Sequence, residues 1–512
     1  MKFEVKLTRQ EMRRCVLCGK APCEQACPHA ETLHPAGLLR SVWFANTNAA
    51  AARMPEASLC ETCSAPCEKN CVRSGEVPVR KLIMTLHDEV KTELKIAAPA
   101  DEDRLRTEFC GIPLENPFLL SSSVVSSTYD MCARAFEAGW AGAAFKTISS
   151  LDIHETSPRF AAVTSEMGTI AGFKNIEQVS THSLMDNLAV FRRLKENYPE
   201  KLLLVSIMGK DETEWEKLAR LCQENGADAV ELNFSCPHMA EGGLGSAVGE
   251  FPELVECFTA AARRGCTIPV LTKLTPNIAH MSPAAEAAKR GGADGIAAIN
   301  TIKSIVGVNP NTYVSEPAVH GKSAVGGYSG NAIKPIALRF IAELGKNPTL
   351  AGMHLSAMGG VENWYDALEF ILLGANSVQL TTAVMQYGYR IIDDLKAGLN
   401  YYLAEKGFRS VSEVVGLGLD AVSESTDVLE RDTVVFPKFH RERCIGCGRC
   451  EISCADGGHQ AIRLTEERRP RLDVRRCVGC HLCVLVCPQQ AITSSHKRVQ
   501  KAQLRNDMVD NI

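Results

Sequence analysis

A chain of 512 residues with 45% hydrophobic and 23% charged side chains has an ordinary globular composition, which excludes a disordered or fibrous protein and leaves room for about three domains. No run of about 18 apolar residues occurs, so a membrane-spanning helix is excluded. A net charge of −4 gives no long-range pull on nucleic acid. The start of the chain has no apolar core behind its charges, so no secretory leader is expected and the expected location is the cytoplasm. The unusual quantity is the 22 cysteines: eight in residues 15–71, eight in residues 444–487 and six between.

The first group reads Cys15-x2-Cys18-x4-Cys23-x3-Cys27-Pro28, then Cys60-x2-Cys63-x3-Cys67-x3-Cys71. Eight cysteines suffice for two [4Fe–4S] clusters, with ligands exchanged between the two runs. Zinc is the rival here, because this spacing is less stereotyped. The expectation is a helical double-cluster iron–sulfur domain over residues 1–95, followed by a linker at Leu94–Arg106.

From about 105 to 415 short apolar runs alternate with amphipathic stretches. The runs are Phe118–Ser122, Gly142–Thr147, Leu202–Met208, Ala229–Phe234, Pro269–Leu274, Gly295–Asn300, His354–Met358 and Ser377–Thr382. Helical patterns follow most of them, among them Glu214–Glu224, Pro252–Arg263 and Trp364–Leu373. Eight such units imply a (β/α)8 TIM barrel; an open doubly wound sheet is the alternative. Residues 415–437 read as a second connector.

The last group is Cys444-x2-Cys447-x2-Cys450-x3-Cys454, then Cys477-x2-Cys480-x2-Cys483-x3-Cys487-Pro488. Three closely spaced thiolates wrap one face of a cubane while the fourth reaches the other cluster. Cys444, Cys447, Cys450 and Cys487 are therefore expected on one [4Fe–4S] cluster and Cys477, Cys480, Cys483 and Cys454 on the second, in a ferredoxin-type domain at 435–495. A pair of zinc sites fits this spacing less well.

In a barrel the strand ends carry the chemistry. Lys146, Asn233, Lys273 and Asn300-Thr301 sit at or near such ends, as do Gly359-Gly360 and Thr381-Thr382 in the last two loops, where backbone N–H groups commonly meet phosphate. A phosphate-bearing cofactor beside one-electron clusters points to a flavin, which couples single electrons to hydride chemistry. No G-x-G-x-x-G follows a strand to open a helix, so reducing equivalents are expected to arrive through the clusters.

At Asn233-Phe-Ser-Cys-Pro-His238 the chain resembles the dihydropyrimidine dehydrogenases, specifically the catalytic subunit of the bacterial NAD-dependent enzymes. KLTPN at Lys273–Asn277, GYSGNAIKPIALR at Gly327–Arg339, QLTTAVMQYGYRI at Gln379–Ile391, CIGCGRC and DGGHQA carry the same likeness, over about residues 105–490. Residues 10–90 are similar to the N-terminal cluster domain of the long, single-chain members. The resemblance implies reduction of the C5=C6 bond of uracil- or thymine-like rings, with FMN as cofactor. It makes Cys236 the proton donor, and Asn175, Glu177, Asn233, Phe234, Ser235, His238, Asn300 and Thr301 the substrate contacts. Ser122, Lys146, Thr147, Lys273, Gly330, Met358, Gly359, Gly360, Thr381 and Thr382 match flavin positions. The implied electron source is an NAD(P)H-dependent flavoprotein subunit or a ferredoxin, and the implied state is an oligomer. Nucleic acid and membranes are not expected partners.

Two departures stand out. The family's Gln or Glu cluster ligand falls near Thr85, with Cys60 available as a substitute. After His238 the loop MAEGGLGSAVGE is shorter than in relatives and lacks their basic residue, which leaves a pyrimidine analogue or another cyclic amide open as substrate. The rival readings are a dihydroorotate dehydrogenase-like enzyme and a non-catalytic electron-transfer subunit. Of the other cysteines, Cys110, Cys132, Cys222, Cys257 and Cys266 read as small core residues.

Overall fold

The structure, a computed structural model, describes residues 12, 14–55, 58–73, 77–91, 101–164, 170–237 and 244–501. It divides into two units, one running to Val422 and one starting at Ser423. Among the described residues no helix is long and apolar enough to cross a membrane.

The first unit is built on a closed barrel of eight parallel strands. They are β1 Phe118–Leu120, β2 Gly142–Ile148, β3 Leu202–Ile207, β4 Ala229–Asn233, β5 Val270–Lys273, β6 Gly295–Ala298, β7 His354–Ala357 and β8 Ser377–Leu380. Each corresponds to one of the eight apolar runs. The runs are continuous rather than alternating because barrel strands are covered on both faces; all six residues of β3 are buried. Closure between β5 and β6, with register Gly295 opposite Leu271, rules out the open sheet.

The outer helices follow from local signals. In Glu212–Glu224, Asp211 caps the first turn by accepting from the Glu214 N–H at 2.9 Å. Trp215, Leu218, Ala219 and Cys222 then turn one face into the core, the spacing an amphipathic helix requires. Cys132, Cys222 and Cys266 are buried as expected, whereas Cys110 and Cys257 are half-buried.

Two features escaped the strand–helix rhythm. A hairpin of Thr107–Phe109 and Ile112–Leu114 closes the barrel floor, with the Phe109 ring 4.4 Å from that of His354. The expected linker therefore ends in ordered structure: Leu105 is fully buried, and residues 94–100 lie outside the described ones. An antiparallel sheet of Phe160–Thr164, Ile170–Asn175, Gly326–Ser329 and Ile302–Ser304 is inserted after β2 and β6 and supplies a wall of the cleft.

Ahead of the barrel lies a helical segment with its own small core, including helices Pro35–Trp43 and Val79–Lys91. It is tied to the barrel by Arg40 against buried Asp394 at 2.8 Å, by Ser41 Oγ donating to Asp394 at 3.0 Å, and by Trp364 Nε1 donating to the Ala45 carbonyl at 3.0 Å. The second unit pairs strand Thr433–Phe439 with Ile492–Gln500 antiparallel, around a small hairpin of Ile462–Leu464 and Pro470–Leu472. The stretch 415–437, expected to be a connector throughout, thus ends in a paired strand.

Candidate functional site

The cleft opens at the C-terminal ends of the barrel strands, and adjacent strand tips are stitched together by short polar side chains. Ser122 Oγ lies 3.3 Å from Thr147 Oγ1, which lies 2.9 Å from Ser206 Oγ and accepts from Asn233 Nδ2 at 2.9 Å. Four strand ends, β1 to β4, are thereby locked side by side.

At the end of β5, Lys273 is only 4% exposed. Its Nζ donates to Ser121 Oγ at 3.2 Å and pairs with Glu231 Oε1 at 3.4 Å. An ammonium carries three donors, so at least one is left for the cleft that Lys273 lines. Glu231, wholly buried inside the barrel, also accepts from Gln379 Nε2 at 3.3 Å. A buried lysine without such partners would be costly.

The loop after β4 carries the thiol. Asn233 Oδ1 accepts from Ser235 N at 3.3 Å and from Ser235 Oγ at 3.0 Å, while Asn300 Nδ2 donates to Ser235 Oγ at 2.8 Å. Ser235 is fully buried and serves as the hinge pin of the loop. Cys236 lines the cleft and is 7% exposed; its carbonyl accepts from Ser246 N at 3.0 Å. Gly245 at φ +55° presses against it so closely that a Cβ there would lie 2.5 Å from the Cys236 carbonyl oxygen. Only glycine meets both conditions.

In the same cleft, Glu177 sits between two cations, Lys146 at 3.4 Å and Arg159 at 3.3 Å. Asn175, Asn300 and Thr301 line the same cleft, and Thr301 N donates to Asn300 Oδ1 at 2.7 Å.

The far end is a glycine cradle. Gly330, Gly359 and Gly360 all have positive φ, and a Cβ on Gly360 would meet Lys334 N at 2.8 Å and the Gly330 carbonyl at 2.9 Å. Ser123 Oγ lies 3.0 Å from Thr381 Oγ1, and Thr382 Oγ1 donates to Ser329 Oγ at 3.0 Å. Bare backbone ringed by hydroxyls suits a phosphate group. Just past the cradle, burial and neighbouring Asp366 push the Glu362 carboxyl up to about 7, against the pull of Lys334.

Of the residues named from sequence, Asn175, Glu177, Asn233, Cys236, Asn300, Thr301, Ser122, Lys146, Thr147, Lys273, Gly330, Met358, Gly359, Gly360, Thr381 and Thr382 all line this one cleft. Ser235 supports it from beneath. Phe234 does not reach it: its ring packs 5.0 Å from that of Trp215 in the core. His238 lies outside the described residues. Sequence reasoning missed Arg159, Ser121 and Glu231; the last carried a signal, a carboxylate in the middle of a buried strand.

The cysteine groups also sort spatially. Cys444, Cys447, Cys450 and Cys487 surround one cavity, and Cys454, Cys477, Cys480 and Cys483 another, the same two sets of four that their spacing suggested. In the first unit Cys15, Cys18, Cys23 and Cys71 line a third.

Residues 104–403 match the family model for dihydroorotate dehydrogenase, and residues 438–494 match that for a 4Fe-4S dicluster domain. The chain is 51% identical over 400 residues to the NAD-dependent dihydropyrimidine dehydrogenase subunit PreA of Escherichia coli (strain K12), covering 78% of this chain and 97% of that one. It is 38% identical over 351 residues to the chloroplastic dihydropyrimidine dehydrogenase (NADP(+)) of Arabidopsis thaliana, covering 66% and 82%. It is 35% identical over 316 residues to the dihydroorotate dehydrogenase B (NAD(+)) catalytic subunit of Pyrococcus horikoshii, covering 62% and 98%. A solved DHODH from Eimeria tenella, in complex with ferulenol, shares the fold at 18% identity and a TM-score of 0.52, covering 64% and 90%. A barrel with this cleft, joined to a 4Fe-4S dicluster domain, therefore belongs to the dihydroorotate dehydrogenase family and is an oxidoreductase of the dihydropyrimidine dehydrogenase type, acting on CH–CH bonds.

Proposed function

We propose that this chain reduces the C5=C6 bond of a uracil- or thymine-like pyrimidine to the 5,6-dihydro form. Electrons come one at a time through [4Fe–4S] clusters, two in the C-terminal domain and two more on the eight N-terminal cysteines, from an NAD(P)H-dependent flavoprotein subunit or a ferredoxin. The observation that carries the reading is the union, in one cleft, of Cys236, three asparagines and a glycine cradle.

The residues fit FMN: Gly330, Gly359 and Gly360 line the cleft with backbone at positive φ that carries no side chain, where a Cβ would collide with neighbouring protein atoms, and Lys273 lines the same cleft as a buried cation. FMN, when bound, supplies hydride for C6 of the ring. Cys236 Sγ gives a proton to C5, a task suited to a thiol, which is ordinarily protonated at neutral pH yet able to release its proton. Asn175, Asn233 and Asn300 each keep an amide N–H beyond their contacts within the protein, and Asn175 Oδ1 also keeps an acceptor position, for the C=O and N–H groups of the ring edge. Glu177 is oriented by Lys146 and Arg159 and receives a ring N–H. The Ser235 anchor holds the thiol loop in register with the ring. Names of the relatives support the substrate class. A dihydroorotate-type reading is disfavoured because the cleft-lining cations Lys146 and Lys273 are already paired, with Glu177 and Glu231, and neither is dedicated to the carboxylate of orotate.

Anaerobic turnover with dithionite-reduced methyl viologen as donor tests this. Loss of the conjugated-ring absorbance of uracil or thymine is the expected result. No loss, with FMN and about sixteen irons bound, would sink the pyrimidine assignment.

A further inference from the structure

The cysteine segment ahead of the barrel reads twice. Cys15-x2-Cys18 is followed by Ala21-Pro22-Cys23-Glu24-x2-Cys27, and Cys60-x2-Cys63 by Ala65-Pro66-Cys67-Glu68-x2-Cys71. The repetition is structural as well. Each Pro-Cys-Glu opens a short helix, Pro22–Gln25 and Pro66–Lys69, and the two helices pack together. Each glutamate then reaches the first turn of a later helix, twelve residues on. Glu24 Oε2 accepts from Ala36 N at 2.8 Å, and Glu68 Oε1 accepts from Arg80 N at 2.8 Å.

The two halves trade their last cysteine. Cys15, Cys18 and Cys23 of the first half are joined by Cys71 of the second around a cavity of about 460 Å³, into which Arg40, Arg53, Arg73 and Arg390 also face. Cys27 is not among them. It lies instead within electrostatic range of Cys60 and Cys67, with Cys63 beside Cys60. Cys60 and Cys67 are buried in the small core of this segment, against which Cys15, Cys23, Cys27 and Cys71 pack. The C-terminal cysteines, which fall within the matched 4Fe-4S dicluster domain, are arranged likewise, as two sets of four around cavities that each take their last cysteine from the other run.

We propose that the N-terminal segment is an internal duplication with exchanged last ligands, so that its second [4Fe–4S] site is held by four thiolates, from Cys60, Cys63, Cys67 and Cys27. This rests on the reading that the N-terminal cysteines hold clusters. Thr85, where the resembled family places a side-chain ligand, takes no part: its hydroxyl donates to the Lys81 carbonyl of its own helix at 2.9 Å. Four thiolates make the site more anionic than one completed by a neutral amide, which lowers its reduction potential.

The test uses the full chain, purified anaerobically, with iron and sulfide counts and EPR of the reduced protein. The wild type should hold about sixteen irons. Cys18→Ala and Cys71→Ala should erase one N-terminal signal and about a quarter of the iron. Cys63→Ala and Cys27→Ala should erase the other, and Thr85→Ala neither. If Cys27→Ala removes the same signal as Cys18→Ala, or Cys63→Ala keeps every signal, or Thr85→Ala loses one, the assignment is overturned. About eight irons in the wild type, or zinc in their place, would overturn the cluster reading beneath it. Should an alanine variant empty both sites, the serine variants answer the same question: Cys27→Ser must alter the signal that Cys63→Ser alters, and a different pairing refutes the exchange.

Discussion

Gly360→Ala isolates the cradle from the rest of the barrel. Gly360 adopts φ +82°, and a Cβ there would stand 2.8 Å from both Lys334 N and Lys334 Cβ, and 2.9 Å from the Gly330 carbonyl oxygen. Left-handed backbone costs an L-residue about 1–2 kcal/mol. Forcing a methyl against two backbone atoms, which no side-chain rotation relieves, adds about 1–3 kcal/mol. Relieving the clash requires Gly360 to move away from Lys334 and Gly330, which displaces backbone that lines the cleft. If that cost of about 2–5 kcal/mol falls on the bound geometry, FMN affinity drops about 30- to 4,000-fold. The assay is fluorescence titration of the deflavinated chain with FMN. Gly352→Ala is the control: its φ is +81°, but nothing lies within 4 Å of the added methyl, so it loses a little stability and keeps its FMN affinity. A Gly360→Ala protein that binds FMN within twofold of wild type, or a Gly352→Ala protein that loses FMN equally, would refute the cradle.

Three further outcomes follow from the geometry. Cys236→Ala should cut pyrimidine reduction by about 10²–10⁴-fold while reduction of the bound flavin by viologen proceeds; unchanged turnover would remove Cys236 from its role. Gly398→Ala would thrust a methyl to 2.2 Å from the Trp364 ring, which also holds the N-terminal segment through Ala45. A loss of about 1–3 kcal/mol is expected, and an unchanged unfolding midpoint contradicts it. Burial holds the His354 imidazole down at about 4, below its ordinary value of about 6.5. Its neutral form is bound by the fold, so this stabilisation is complete above pH 6.5 and is lost as pH falls toward 4, by about 3 kcal/mol. His354→Gln should flatten the fall of the unfolding midpoint between pH 6.5 and 4, and equal slopes would show that other groups control it.

The eight barrel strands were legible because each is buried on both faces and so reads as an unbroken apolar run, bounded by turn residues. The exchanged C-terminal cysteine sets were legible because the reach of a thiolate constrains ligand spacing within one short segment. Cleft residues at strand ends were legible for a related reason: a barrel delivers the last residue of every strand to the same face. Other features depend on contacts between residues far apart in sequence, which carry no local period. The floor hairpin and the inserted sheet have strands of three to six residues, too short for a period to declare itself. Sequence alone also could not direct Phe234 into the core, because whether it faces the cleft depends on the Trp215 ring brought beside it by a helix ahead of β4. Pairing Glu231 with Lys273, Arg159 with Glu177 and Cys71 with Cys15 likewise required closure of the chain, since a charge or thiol finds its partner by distance in space and not along the backbone.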